Sequence, residues 1–129
     1  MSWPAVRAGA LVALAFAIPT ALVAQVVDSL ADLDDQDPVA AFFFLAVVVG
    51  FLAGGYAAGR RAPDRPFIHA TAGVVCAYAL VAFFALVRLV VGGSDIELIA
   101  FVVNAFLASG LGLLGASVAV VRNAQAGQP

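Results

Sequence analysis

The chain has 129 residues, of which 64% are hydrophobic and only 11% are charged, with a formal net charge of −2. This composition excludes an ordinary water-soluble domain, in which about 25% of residues are charged. The nearly balanced charge gives no indication of nucleic-acid binding. A single cysteine, Cys76, excludes an intramolecular disulfide and a cysteine metal cluster. We therefore expect a protein that folds in a lipid bilayer.

Four apolar segments follow one another along the chain, and each is long enough to cross a bilayer. The first contains Pro19 and leads into a run of five aspartates between residues 28 and 37. The second ends in the polar turn Gly59–Pro66, the third ends at Gly92, and a polar tail follows the fourth. The pattern predicts one all-α domain, an integral membrane four-helix bundle over residues 1–129, with spans at about 5–27, 39–58, 67–91 and 96–121.

The basic residues of the chain are all arginines, and they favour one orientation. Five fall on one side of the predicted spans, and only Arg88 falls on the other side. Short loops rich in arginine remain on the cytoplasmic side of a membrane. We therefore predict that both termini are cytoplasmic. The five arginines on the predicted inner side are Arg7, Arg60, Arg61, Arg65 and Arg122.

Two further interpretations of the first hairpin remain open. The small residues Ala21–Ala24 are also typical of the end of a cleaved secretory signal, whose removal would leave the new N-terminus outside. In addition, Ala8 and Gly9 align with Ala72 and Gly73, so that the second hairpin could be a parallel repeat of the first.

Small residues recur at helical spacing in the second and fourth spans. Gly50 and Gly54 are four residues apart, as are Gly55 and Gly59. Helices in lipid associate largely through close backbone contact at such residues. These faces predict either packing within this chain or an interface with a second copy or a partner. The predicted interface residues are Gly50, Gly54, Gly55, Gly59, Ala108, Gly112 and Ala116.

A motif joins the second and third spans. Gly54–Arg61 reads Gly-Gly-Tyr-Ala-Ala-Gly-Arg-Arg, and the third span opens with Phe67–Ala70, which contains His69. This arrangement resembles a family of small four-span bacterial membrane proteins of unknown function. In that family a Gly-Gly-aromatic-x-Ala-Gly-Arg stretch closes the second helix, and a His-Gly or His-Ala pair opens the third. The resemblance implies the four-helix fold and a bacterial plasma membrane, and it implies no activity, ligand or catalytic residue.

Few polar residues fall within the predicted spans, and three of them are candidates for function. Arg88 is expected to reach the headgroups or an acidic partner, with a substrate or lipid anion as the alternative contact. Asn104 is expected to form an interhelical hydrogen bond or, with Ser109 and Ser117, to line a polar path. His69 is expected to be an interfacial residue, since a lone histidine builds no metal site.

The charged connections indicate no enzyme chemistry. The aspartate run between residues 28 and 37 lacks the glycine and glutamate of a calcium loop, so it predicts a solvated loop, with a loose divalent-cation or basic-partner site as the alternative. Arg60, Arg61 and Arg65 determine orientation and are candidate contacts for anionic lipid headgroups. No catalytic residue, metal or cofactor is indicated.

Abundant packing surface, short loops and scarce intramembrane chemistry together favour a non-enzymatic role. We expect an accessory or scaffold subunit in the bilayer that binds a larger membrane protein or further copies of itself through its small-residue faces. The alternative is a small transporter or channel assembled as an oligomer. No acidic residue lies in the middle of a span, which argues against proton coupling through a buried acid.

Overall fold

A computed structural model describes residues 2–31, 38–92 and 98–127. All four of its helices are long and apolar enough to cross a membrane, which confirms the predicted all-helical fold and the four membrane-length segments. At 1.5 Å per residue, helices of 24 to 29 residues are roughly 36–43 Å long, against about 30 Å of hydrocarbon. The described residues form helices α1 (Trp3–Ala31), α2 (Pro38–Arg61), α3 (Pro66–Gly92) and α4 (Leu98–Ala126), and no strand occurs among them.

All four helices end beyond the predicted spans, α3 by only one residue. α1 continues to Ala31, α2 continues to Arg61, and α4 continues to Ala126. The predicted limits follow hydrophobicity, whereas the hydrogen bonds of an α-helix form within the helix itself and persist where the chain leaves the membrane. α2 ends just before Pro63, because the proline ring disfavours helical geometry at the residue preceding it.

Prolines and backbone bonds define the helix beginnings. Pro38 and Pro66 are the first residues of α2 and α3. The first N–H groups of a helix have no acceptor within the helix, so the N–H that proline lacks costs no hydrogen bond there. At α1 the carbonyl of Ser2 accepts hydrogen bonds from the backbone N–H groups of Ala5 and Val6, at 3.1 and 3.2 Å. α1 then continues through Pro19 without interruption.

The helices form a ring in the order α1, α2, α4, α3. α2 contacts each of the other three helices, whereas α1 and α4 do not touch one another in the part of the chain that the structure describes. α1 and α3 begin at the end of the bundle where α2 and α4 finish. We call this the arginine end, since Arg60, Arg61 and Arg122 lie there.

The buried core occupies the half of the bundle nearest the arginine end. Its members come from 5–17 in α1, 50–59 in α2, Ala62 just after α2, 69–77 in α3 and 108–119 in α4. Most are alanine or glycine, and the largest fully buried side chains are Val6 and Val74. Large apolar side chains instead cover the outside, as expected for a surface that faces lipid. The core is therefore held by close backbone approach rather than by bulky side chains.

Candidate functional site

One small-residue face of α2 packs against α1. A Cβ atom added at Gly54 would lie 2.7 Å from the carbonyl oxygen of Gly9, and one added at Gly50 would lie 2.5 Å from Cβ of Phe16. Gly9 is equally constrained, because its added Cβ would lie 2.8 Å from that of Ala58. Distances below 3.0 Å exclude any side chain unless the helices move apart. Gly50 and Gly54 thus allow α1 and α2 to touch through their backbones.

The second small-residue face of α2 packs against α4. A Cβ added at Gly55 would lie 2.7 Å from Cα of Gly112, and one added at Gly59 would lie 3.2 Å from Cα of Ala116. Gly115 belongs to the same contact, with an added Cβ only 2.8 Å from the backbone nitrogen of Tyr56. Gly115 is not among the predicted interface residues, although its spacing of three residues from Gly112 is apparent in the sequence.

All seven residues predicted as an interface lie between helices of this same chain. Gly50 and Gly54 face α1, whereas Gly55 and Gly59 face α4. In α4, Gly112 also faces α3, because an added Cβ would lie 3.0 Å from the Val74 side chain. Ala108 and Ala116 are buried in the two apolar clusters of the core.

One glycine of α4 faces outward instead. A Cβ added at Gly110 would meet nothing within 4 Å. Gly110 lies at the base of a surface groove of about 700 Å³, which we call the α4 groove. Its walls are formed by large side chains on the same helix, including Phe106, Leu113 and Leu114. The α4 groove is therefore an open backbone depression on the lipid-facing side.

A central cavity of about 540 Å³ lies above the core, away from the arginine end, and all four helices line it. Its deepest large side chain is Phe51, which is only 7% exposed and belongs to the main core cluster with Val74 and Ala108. Below Phe51 the glycine contacts of α2 bring the backbones together. The central cavity is therefore closed on the side that faces the arginine end.

Three polar side chains line the central cavity. The Tyr78 hydroxyl donates a hydrogen bond of 2.7 Å to the carbonyl of Phe101 and joins α3 to α4. Thr20 and Asn104 line it from α1 and α4. The interhelical hydrogen bond expected for Asn104 is not formed to any described residue, because α4 places this side chain at the open cavity rather than against a neighbouring helix.

The polar path proposed for α4 is not assembled within one chain. Ser117 lies in the α4 groove, on a different surface from Asn104. The hydroxyls of Ser109 and Ser117 donate to the carbonyls of Ala105 and Leu113, one turn earlier in their own helix. Asn104, Ser109 and Ser117 therefore do not share one lining surface.

His69 is buried at the arginine end, with 5% of its surface exposed. Its Nδ1 lies 2.7 Å from the carbonyl oxygen of Arg65, and its Nε2 lies 2.7 Å from the backbone nitrogen of Ser2. Because a carbonyl oxygen only accepts, Nδ1 carries the hydrogen and Nε2 accepts from Ser2. Both ring nitrogens thus connect the start of α1 to the start of α3, a role that the sequence did not reveal.

Two arginines converge on Tyr56 at the arginine end. Nη1 of Arg122 donates to the Tyr56 hydroxyl at 3.3 Å, and the guanidinium carbon of Arg60 lies 5.9 Å from the centre of the Tyr56 ring. Arg61 and Arg65 are exposed at the same end. This concentration of cations suits the headgroup region of a membrane.

Two sequence-based expectations lie outside the described residues. Arg88 is part of α3, but its side chain is not described, and the aspartates between residues 32 and 37 lie in a range that is not described either. Over the ranges 2–31, 38–92 and 98–127, no group of three or more metal-binding side chains is brought together.

Comparisons with known proteins give no relative. No protein-family model matches the chain, and no curated protein or solved structure is similar to it.

Proposed function

We propose that this protein is a non-enzymatic accessory or scaffold subunit of a bacterial plasma membrane, which binds a larger membrane protein through the α4 groove. The observation that supports this role is the outward placement of Gly110, whose position would leave a side chain in open space. Glycines that line helix contacts in lipid allow close approach of a second helix. Among the glycines whose surroundings the structure describes within the spans, all the others contact neighbouring helices of this chain, so Gly110 is the one left for a partner.

The polar side chains that the structure describes also favour a structural role. Tyr78, Ser109 and Ser117 bond to backbone carbonyls, and His69 uses both ring nitrogens. Proton transfer needs a side chain that can reach a substrate. Each of these groups is occupied by the fold itself, which supports a protein that positions other proteins rather than one that transforms a substrate.

Substitution of Gly110 tests the proposed partner surface. Gly110→Leu should place a large side chain at the base of the α4 groove, leave the bundle intact and reduce the amount of co-purifying membrane protein by at least about tenfold. The measurement is crosslinking in native membranes, affinity purification of a C-terminally tagged chain and mass spectrometry. The control is Ala79→Leu, an exposed small-to-large change on α3 that should retain the partner.

Two outcomes would contradict the accessory role. If only copies of this chain are recovered from the wild type, an oligomeric transporter or channel becomes the better proposal. If Gly110→Leu and Ala79→Leu retain a partner equally, the partner does not bind at the α4 groove.

We further propose that the arginine end faces the cytoplasm. Ser2 contacts His69 and Tyr56 contacts Arg122, so both described ends of the chain lie at the end that holds Arg60. Arginines near short connections favour the cytoplasmic side. A green fluorescent protein fused to the C-terminus should fluoresce, whereas an alkaline phosphatase fused there should be inactive. An active phosphatase fusion would contradict this orientation.

The arrangement of the hairpins is also compatible with descent from one ancestral hairpin. α1 runs parallel to α3, and α2 runs parallel to α4, as duplication of a single hairpin in one orientation would produce. A sequence relative with a single hairpin that assembles as a dimer would support this origin, and an inverted pair would oppose it.

A further inference from the structure

The central cavity opens sideways toward the bilayer. It shares Ala17, Ala21 and Val81 with a side groove of about 450 Å³ that lies between α1 and α3. Leu22 and Phe84, which line that side groove, are exposed on the outside of the bundle. A molecule in the surrounding lipid can therefore enter the central cavity sideways, between α1 and α3, while it remains within the bilayer.

The size of the central cavity distinguishes between possible occupants. One turn of an α-helix with its side chains is about 10–12 Å wide and 5.4 Å high, which corresponds to roughly 420–610 Å³. The cavity of about 540 Å³ would hold only about one such turn, so a spanning helix from a partner or a second copy is too large. A single hydrocarbon chain is narrower and can extend through both the cavity and the side groove.

The chemistry of the lining fits a chain with one polar group. Phe43, Val47 and Leu111 contribute to largely apolar walls, which suit hydrocarbon. Thr20 and Asn104 offer hydrogen-bond donors on opposite helices, and no described residue accepts from either side chain. A polar side chain within a bilayer is stabilised when it forms a hydrogen bond. A phospholipid supplies a suitable acceptor, the ester carbonyl at the headgroup end of each acyl chain.

We propose that the central cavity binds one acyl chain of a phospholipid from the leaflet opposite the arginine end, with the ester carbonyl of that chain accepting a hydrogen bond from the Asn104 amide. The chain enters past Ala21 and ends against Phe51. This site does not include Gly110, although Leu107 and Leu111 line both the central cavity and the α4 groove.

Photolabelling in a defined bilayer tests this proposal. The full chain is reconstituted in dioleoyl phosphatidylcholine vesicles that contain a phosphatidylcholine with a diazirine in the middle of one acyl chain, and the adducts are mapped by mass spectrometry. Phe51 and Ala108 are nearly inaccessible from the outside, so adducts there report a chain inside the cavity. The exposed Val118 reports the surrounding lipid. We expect adducts at all three residues in the wild type.

Matched variants separate cavity binding from general lipid contact. Ala21→Trp should block the shared opening and reduce adducts at Phe51 and Ala108 at least about tenfold, while leaving those at Val118 unchanged. Ala15→Trp makes the same change at an exposed position of α1 outside the opening and should have no effect. Asn104→Leu should reduce the cavity adducts about threefold, the factor that corresponds to the ~0.6 kcal/mol typical of a hydrogen bond in a membrane protein.

The proposal is overturned if wild-type adducts occur only at outward residues such as Val118, or if Ala21→Trp does not reduce the adducts at Phe51. Crosslinks between two copies of the chain at Phe51 would assign the cavity to a second copy instead. Unchanged cavity adducts in Asn104→Leu would overturn the assignment of Asn104 as the anchor of the carbonyl.

Discussion

Replacement of Gly55 by alanine should destabilise the bundle strongly, although alanine is the better helix former. The added Cβ, whose position is fixed by the α2 backbone, would lie 2.7 Å from Cα of Gly112, a backbone atom that cannot rotate away. Overpacking of this kind costs about 1–3 kcal/mol or more, whereas the gain in helix propensity is at most about 1 kcal/mol. α2 and α4 must therefore separate, and the contact of Gly112 with Val74 weakens with them.

Gly110→Ala is the matched control, since it makes the same chemical change in a spanning helix where nothing lies within 4 Å. At this position the substitution changes only the intrinsic helix propensity, so the free energy of unfolding should increase by up to about 1 kcal/mol. The free energy of unfolding can be measured by titration with sodium dodecyl sulfate in mixed micelles, followed by far-ultraviolet circular dichroism. Equal effects of the two alanines would show that the α2 and α4 backbones do not touch at Gly55.

Truncation of Phe51 should produce the second large loss of stability. Phe51→Ala removes the one large aromatic side chain among the buried residues of the main core cluster and enlarges the central cavity toward Val74 and Ala108. In water-soluble cores such a change costs about 3–5 kcal/mol. We expect a smaller loss of about 2 kcal/mol, because lipid solvates the side chain of the unfolded helix as well as the core does, and only the lost packing remains.

Phe42→Ala is the corresponding control on the same helix. Phe42 is 67% exposed and faces the surroundings. A substitution at such a surface changes the free energy of unfolding by about 0.5 kcal/mol or less. The same micelle titration compares the two variants, and a loss at Phe42 as large as that at Phe51 would argue that aromatic content, rather than packing against the other helices, stabilises α2.

The glycines of α2 show which features of helix packing can be predicted from residue spacing alone. The four-residue intervals of Gly50 with Gly54 and of Gly55 with Gly59 indicate two small faces, because residues four apart share one side of a helix. The intervals do not indicate which helix each face meets. In a bilayer every side of a helix can be apolar, so no polar stripe distinguishes the face toward lipid from the face toward a neighbour.

His69 and Asn104 show the same limit for polar residues. Sequence position alone predicted an interfacial histidine and an asparagine bonded between helices. In the structure His69 is buried against Ser2, which is 67 positions away in sequence, and Asn104 faces the central cavity. The helix end that contacts His69 and the cavity that Asn104 faces both depend on how the two hairpins pack against each other. The local sequence around either residue does not contain that information.

The amino-acid sequence is sufficient to predict four membrane-length helices separated by short polar connections. Hydrophobicity over about 20 residues is a local property, and in lipid the backbone must satisfy its own hydrogen bonds within each helix. Three features become apparent only when the helices are packed together: Gly55 contacts Gly112, Gly110 remains open, and Phe51 closes the central cavity from below. These features depend on the fit of side-chain sizes between helices far apart in the chain. The close packing of residues from different helices determines them, and the residue pattern along a single helix does not specify that packing.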